Sequence, residues 1–149
     1  LIDLLTEPHD EGRTGNKGND DDEGRPDTGL LEDVVVLADH VVAKALQKEG
    51  EAILASVRKG AYLVALCVEG KQVSSEELAG MIADRAMSGA GDMTFVIGSS
   101  HGLDDSVKRA AQARISLGRI TLPHQLARLV LTEQLYRACT INAGMKYHK

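Results

Sequence analysis

Apolar residues along the chain follow two patterns in turn, helical spacing over long segments and continuous runs over short ones. The helical spacing predicts four helices, over about residues 28–57, 74–87, 104–111 and 123–140. The continuous runs are too short for helices and are typical of strands buried on both faces, over residues 61–68, 93–98 and 113–118. Strands that alternate with helices in this order predict an α/β fold with a parallel sheet flanked by helices.

Local signals mark the ends of several of these elements. Ser74 with Glu77 three residues later is a capping-box pattern at the start of the second helix. The polar residues 69–71 are expected to end the first strand. Pro123 is preorganised for the first turn of the last helix, which we therefore expect to begin there.

Residues 7–29 differ from the rest of the chain because they are rich in Gly and Asp and nearly free of apolar side chains. Such a segment cannot bury enough surface to order itself, so we expect a mobile acidic loop. The remaining residues suffice for one core, and a length of 149 residues predicts a single domain over 1–149.

Charge is divided unevenly along the sequence. Residues 1–33 hold eleven acidic residues against three basic ones, whereas residues 108–149 hold eight basic residues against one acidic residue. A basic segment is usually a solvated surface, but this imbalance also fits a phosphate-bearing partner of the C-terminal third. With one Phe, three Tyr and no Trp, stacking of aromatic side chains on bases is not the main means of recognition.

Several classes of protein are disfavoured by what the sequence lacks. No apolar run approaches the roughly 18 residues that span a bilayer, so we expect no membrane contact and a soluble, cytoplasmic protein. Neither a P-loop nor a dinucleotide-binding glycine pattern is present, and no spacing of metal ligands appears, so we expect no metal. The sequence GSSHG at 98–102 does not match the GxSxG motif of serine hydrolases.

Ligands of a parallel sheet gather beyond the carboxyl ends of its strands. Three loops are predicted at that position, over residues 67–71, 98–103 and 118–123. Gly98 lets backbone approach a ligand closely and Gly102 can take a positive φ, although either glycine is also explained by the turn alone.

His124 and Arg128 are four residues apart at the start of the last helix, which places them on one face. A helix N-terminus with these two side chains is suited to a phosphate or a carboxylate. The alternative, that His124 only helps to cap the helix, stays open on the residues themselves.

Three segments together resemble the RlmH family of SPOUT-class methyltransferases, which methylate N3 of a pseudouridine in 23S ribosomal RNA. They are TFVIGSSHGL at 94–103, ISLGRITLPHQLARLVLTEQLYRACTI at 115–141 and KYHK at 146–149. The resemblance extends from about residue 30 to residue 149, and its C-terminal half is the specific part.

The resemblance implies a SPOUT-type C-terminal trefoil knot, a homodimer, and S-adenosylmethionine (SAM) as the cofactor, with 23S rRNA in the ribosome or its large subunit as the partner. The positions that it assigns to SAM are Leu66, Gly98, Leu117, Gly118, Arg119, Ile120, Thr121 and Leu122. These positions belong to the same loops that the sheet topology selects, or lie directly beside them.

Methylation of N3 requires removal of its proton, so the enzyme needs a base and groups that orient the RNA. His148 is the candidate base or proton relay, because imidazole titrates near neutrality. Tyr147 is expected to stack on or hydrogen-bond the base, and Arg128 and Lys149 to contact phosphate. His124 and Arg128 are expected to open the helix that faces the partner subunit and the RNA.

Two departures from the family pattern bear on these expectations. Ser99 replaces the second glycine of a Gly-Gly pair, which we expect to narrow the cofactor pocket. Family members also begin with a strand and a helix that have no counterpart before Leu1. Their absence would leave backbone groups of the sheet unpaired, so we expect the sequence to be part of a longer chain.

Two other functions stay open on the sequence. A noncatalytic RNA-binding module would use the basic C-terminal third and would bind RNA without SAM. A small-molecule enzyme on a doubly wound sheet would not act on ribosomes.

Overall fold

The computed structural model describes residues 2–6, 28–89 and 91–148. These residues form, in chain order, β1 (Ile2–Thr6), α1 (Thr28–Ser56), β2 (Tyr62–Gln72), α2 (Ser75–Met87), β3 (Met93–Ile97), α3 (Asp105–Ala110), β4 (Ala113–Ser116) and α4 (His124–Asn142). The four predicted helices and three predicted strands are all present. The expected acidic loop lies outside the described residues, except for Thr28 and Gly29, which begin α1.

The sheet contains four parallel strands in the order β1-β3-β2-β4. The register places Met93 of β3 between Ile2 of β1 and Tyr62 of β2. The predicted parallel sheet is therefore confirmed. β1 was not predicted, because a run of five residues before a long polar segment carries little signal of its own.

β2 is longer than predicted. The expectation that residues 69–71 end this strand is wrong, because Lys71 and Gln72 pair again with β4 after an irregularity that begins at Leu66. Gly70 permits this course, since a Cβ atom there would lie 2.5 Å from the carbonyl carbon of Ile115. The residues between Leu66 and Lys71 thus form a bulge at the end of the regular pairing.

Two apolar cores lie on opposite faces of the sheet. Val64 and Leu66 of β2 belong to one core, and Leu63 and Ala65 belong to the other. The first core includes buried side chains of α2 and α4, and the second includes those of α1 and α3: Leu78, Leu131, Ile53 and Val107. The sheet is therefore covered by helices on both faces, as predicted.

Helix ends are set by local interactions. The capping box of α2 is present, because the Ser74 hydroxyl accepts from the backbone N–H of Glu77 at 3.1 Å and the Glu77 carboxylate accepts from the backbone N–H of Ser74 at 2.8 Å. Pro123 directly precedes α4 in an extended conformation, without a side-chain cap, so His124 is the first helical residue. Among the described helices, none has the length and apolar character needed to cross a membrane.

Candidate functional site

A cavity of about 800 Å³ lies beyond the carboxyl ends of the regular parts of β2, β3 and β4. Three loops line it, over residues 66–69, 97–103 and 116–124. Arg119 is the one residue in these ranges that does not line the cavity. Lys108 of α3 and Ala127 of α4 complete the wall. The volume is in the range of small-molecule sites, and the loops are those that follow the strand ends.

The loop after β3 is a closed turn. The backbone N–H of Gly102 donates to the carbonyl oxygen of Ser99 at 2.9 Å, and Gly102 has the predicted positive φ, +89°. A Cβ atom at Gly98 would collide with the carbonyl carbon and oxygen of Gly102 and lie 2.8 Å from the nitrogen of Leu103. The absence of a side chain at Gly98 is therefore what lets the turn close against the end of β3.

The loop after β4 supplies a large part of the apolar wall. Gly118 has a φ of +122°, and its N–H donates to the Ser116 hydroxyl at 3.2 Å, which fixes the departure of the chain from the strand. Leu117 is partly exposed, Ile120 is largely exposed, and Leu122 packs against the core. The loop thus presents the aliphatic side chains of Leu117 and Ile120 to the cavity, and the packing of Leu122 against the core holds the loop in place.

The bulge of β2 is tied to α3 by an ion pair. Lys108 Nζ lies 2.8 Å from Glu69 Oε1 and 3.6 Å from Asp105 Oδ1. The hydrogen bond from Lys108 is the main cause that lowers the pKa of Glu69, and the same bond raises the pKa of Lys108. Both groups are therefore charged at neutral pH, and the two charges compensate each other.

The cavity offers few groups for covalent or metal chemistry. Burial, followed by the nearby Glu69 carboxylate, raises the pKa of the Cys67 thiol, so the thiol is not an activated nucleophile. The Ser100 hydroxyl lies 3.2 Å from Nδ1 of the exposed His101. Across the described ranges, no group of three His, Cys, Asp or Glu side chains is arranged to hold a metal ion.

Most residues that the resemblance assigns to the cofactor lie around this cavity. The lining includes Leu66, Gly98, Leu117, Gly118, Ile120, Thr121 and Leu122. Ser99 and His124 also line it, whereas Arg119 is exposed beside it. Arg128 is exposed on α4, one turn after His124.

The C-terminal tail, residues 146–149, contains the other candidate residues, and Tyr147 and His148 lie away from the cavity. His148 Nε2 is 2.7 Å from Glu76 Oε1 at the start of α2. The Tyr147 ring contacts Tyr136 edge-on with centroids 5.0 Å apart, and its hydroxyl is 3.4 Å from the Glu133 carboxylate. Neither tail residue lines the 800 Å³ cavity of its own chain. Lys149 lies outside the described residues.

Glu69, His101 and Lys108 line the cavity but were not selected from the sequence. Glu69 lies in a loop that the sequence predicts at the ligand site, but its residue type alone gives it no role there. A single His in a turn, such as His101, is more often solvated than functional, so the sequence does not single it out. Lys108 carried no signal because its partner is distant in sequence.

A cavity of this size beyond the carboxyl ends of a parallel sheet is the usual position of a ligand site in an α/β protein. A family model described as "Predicted SPOUT methyltransferase" matches residues 32–148. The chain belongs to the SPOUT methyltransferase family, as the sequence motifs predicted.

Similar curated proteins carry the name Ribosomal RNA large subunit methyltransferase H. The chain is 51% identical over 106 residues to the protein of Streptococcus uberis, which covers 71% of this chain and 67% of the relative. It is 53% identical over 103 residues to the protein of Ligilactobacillus salivarius, and this match covers 69% of this chain and 65% of the relative. It is 46% identical over 134 residues to that of Lactococcus lactis subsp. cremoris, covering 84% of both chains. The chain thus spans about two thirds of the first two relatives.

Proposed function

We propose that the chain is a SAM-dependent methyltransferase that modifies N3 of a pseudouridine in 23S rRNA of the large ribosomal subunit. The observation that carries the proposal is that seven of the eight positions assigned to SAM line one cavity. The names of the relatives support large-subunit rRNA as the substrate. Pseudouridine and its N3 atom follow from the family resemblance.

The residues around the cavity fit this cofactor. The aliphatic side chains Leu66, Leu117, Ile120 and Leu122 suit its adenosine part, and Gly98 and Gly118 line the cavity without a side chain that would fill it. The ion pair of the β2 bulge leaves no uncompensated charge against the bound molecule. When bound, SAM supplies an electrophilic methyl group, so the protein itself needs no nucleophile.

The remaining task of the protein is to hold the target base and to remove its proton. We assign His148 as the general base or proton relay and Tyr147 as a contact of the target nucleobase. Arg128 and Lys149 are the proposed phosphate contacts, and His124 lies at the cavity mouth. Because Tyr147 and His148 contact α4 and α2, their participation requires movement of the tail or a cavity contributed by a second copy.

A homodimer is expected through α4. Leu126, Leu129 and Val130 are exposed on this helix, whereas Leu131 and Ala138 are buried against the sheet. Exposed aliphatic side chains next to one another on a helix are typical of a subunit interface. Light scattering should therefore give about twice the chain mass of 15.9 kDa.

Paired substitutions test whether α4 forms this interface. Leu129→Asp should shift the mass to that of one chain, because Leu129 is 64% exposed and would place a charge in the interface. Val41→Asp on α1 is the matched control, since Val41 is 61% exposed and should leave the mass unchanged. A wild-type mass near 15.9 kDa would contradict the dimer.

The proposed activity is tested by two measurements on the full chain. Calorimetry should detect SAM binding, and mass spectrometry should detect methylated pseudouridine in 23S rRNA after incubation with unmodified large subunits and SAM. RNA binding without any heat from millimolar SAM would indicate the noncatalytic module. SAM binding with no methyl transfer to ribosomes would favour the small-molecule enzyme.

A further inference from the structure

The arginine side chains of the described residues fall into two groups. Those of the first group are held by neighbours within the chain, Arg58 by Asp92, Arg85 by Tyr62 and Ser88, and Arg137 by Glu133. Those of the second group, Arg109, Arg114, Arg119 and Arg128, are exposed and form no hydrogen bond or ion pair with any residue that the structure describes. The second group is confined to the segment 109–128.

Two of these arginines lie on the α3 and β4 side of the cavity. Arg109 directly follows Lys108, which lines the cavity. Arg114 lies on β4, in register with Ala65 of β2. The lining residue Glu69 has a lowered pKa, mainly because of the hydrogen bond from Lys108, and the charge of Arg114 makes a smaller contribution. Both guanidinium groups are therefore attached to elements that border the cavity mouth.

The other two arginines lie in the loop after β4 and on α4, each next to residues that line the cavity. Arg119 stands between Gly118 and Ile120, both of which line the cavity, and Arg128 follows the lining residue Ala127. The four arginines thus place positive charge on α3, β4, the loop after β4 and α4, close to residues that line the cavity. Glu69 is the one carboxylate among the described lining residues, and it is paired with Lys108, which also lies 3.6 Å from Asp105.

Unpaired arginines at the mouth of a site suit phosphate. A guanidinium carries five N–H donors in a planar arrangement that matches phosphate oxygens, and it stays charged at every physiological pH. Hydrogen bonds from Ser106 are the main cause that lowers the pKa of Asp104, with a smaller contribution from Arg109, and the backbone N–H of Ser106 donates to the Asp104 carboxylate at 2.8 Å. The four side chains are thus available to an external anion.

Resting on the proposed function, we propose that Arg109 and Arg114 bind backbone phosphates of the RNA strand that carries the target nucleotide. The strand would cross the cavity mouth from the α3–β4 side to the side of Arg119 and Arg128, so that its base can enter between them. RNA is favoured over an acidic protein because the charges flank the opening through which the reacting base reaches the cofactor cavity.

The salt dependence of RNA binding tests whether Arg109 and Arg114 contact phosphates. Binding of the full chain to an unmodified 23S rRNA transcript would be measured over a series of KCl concentrations. Arg109→Ala combined with Arg114→Ala should weaken binding roughly tenfold at moderate salt. The same change should reduce the slope of log K against log[KCl] by about 1.4 to 1.8, from two lost phosphate contacts.

Two control variants separate contact from net charge. Lys44→Ala combined with Lys48→Ala removes the same charge from exposed positions of α1 and should leave the slope unchanged. Arg109→Lys combined with Arg114→Lys should recover most of the slope. In methyl transfer, the double alanine variant should raise KM for ribosomal subunits with little change in kcat, and its SAM affinity should equal that of the wild type.

The outcomes distinguish this proposal from the proposed function. If the double alanine variant has the wild-type slope, Arg109 and Arg114 do not bind RNA phosphates, and only this further proposal is overturned. That result is expected if these arginines bind an acidic protein instead. Equal losses in the α1 lysine variant would also overturn it, because the effect would then be general. Failure of the wild type to bind the transcript or SAM would instead overturn the proposed function.

Discussion

Gly98→Ala is expected to abolish SAM binding, with at least a hundredfold loss of affinity, while the domain stays folded. A methyl group at this position would collide with the Gly102 carbonyl group and lie 2.8 Å from the nitrogen of Leu103. These are backbone atoms and cannot swing aside as a long side chain does. The turn over residues 98–103, which forms one wall of the cavity, must therefore move.

The fold should survive this change because the collision is confined to the loop. Gly98 follows the last residue of β3, so the register of the sheet is untouched, and the one core residue that the collision reaches directly is Leu103 at the end of the turn. Overpacking of this kind costs about 1 to 3 kcal/mol, against a total stability of about 5 to 15 kcal/mol for a typical domain. Thermal unfolding should therefore stay cooperative at a somewhat lower midpoint.

Gly80→Ala is the matched control for Gly98→Ala. Gly80 lies in α2, where a Cβ atom would meet nothing within 4 Å, and alanine is favoured over glycine inside a helix by about 1 kcal/mol. This variant should bind SAM as the wild type does and unfold at an equal or higher temperature. Undiminished SAM affinity in Gly98→Ala would contradict the prediction, and joint loss of fold and binding would make Gly98 a structural turn residue only.

The order of elements could be predicted because its signals are local. Four helices follow from apolar spacing, and the start of α2 follows from Ser74 and Glu77, which are close in sequence. The course of β2 through its bulge could not be predicted in this way. It depends on the contact of Gly70 with Ile115, and therefore on a pairing with β4 that no local pattern encodes.

The same distinction holds for the candidate site. The position of the three loops follows from parallel topology, which brings the carboxyl ends of neighbouring strands to one edge. The ion pair of Glu69 with Lys108 joins two distant segments and left no trace in the sequence pattern. The C-terminal trefoil knot implied by the resemblance stays a prediction.

His148→Ala is expected to reduce methyl transfer by roughly a hundredfold or more, the usual effect of losing a general base, while SAM affinity stays unchanged. The pKa of Glu76 is lowered to about 2, first by a hydrogen bond from the Ser74 side chain and also by His148. Glu76 is therefore a carboxylate throughout the neutral range and accepts a hydrogen bond from Nε2 of His148 at 2.7 Å.

This contact leaves one ring nitrogen for proton transfer. With Nε2–H directed at the carboxylate, Nδ1 of a neutral ring keeps its lone pair. Nδ1 is shielded from solvent and has no hydrogen-bond partner among the described residues. Since an unpaired buried nitrogen is unfavourable, we expect Nδ1 to gain a partner when RNA binds and the tail rearranges.

Two variants separate catalysis from simple docking of the tail. Glu76→Gln keeps an acceptor for Nε2–H but removes the charge, so it should lose much less activity than His148→Ala. Tyr147→Phe keeps the ring contacts with Tyr136 and Arg137 and should lose less than tenfold. Equal losses in Glu76→Gln and His148→Ala would indicate that the pair only positions the tail.

Truncation after Lys146 removes Tyr147, His148 and Lys149 together and should eliminate most methyl transfer to ribosomal subunits. Folding, mass in solution and SAM affinity should change little, because Tyr147 and His148 contribute no side chain to either apolar core or to the cavity lining. Single-turnover assays with saturating SAM would separate loss of chemistry from loss of RNA binding. Full activity in both the truncated chain and His148→Ala would exclude the tail from catalysis, and the candidate base would then be His124, because its position already lines the cavity.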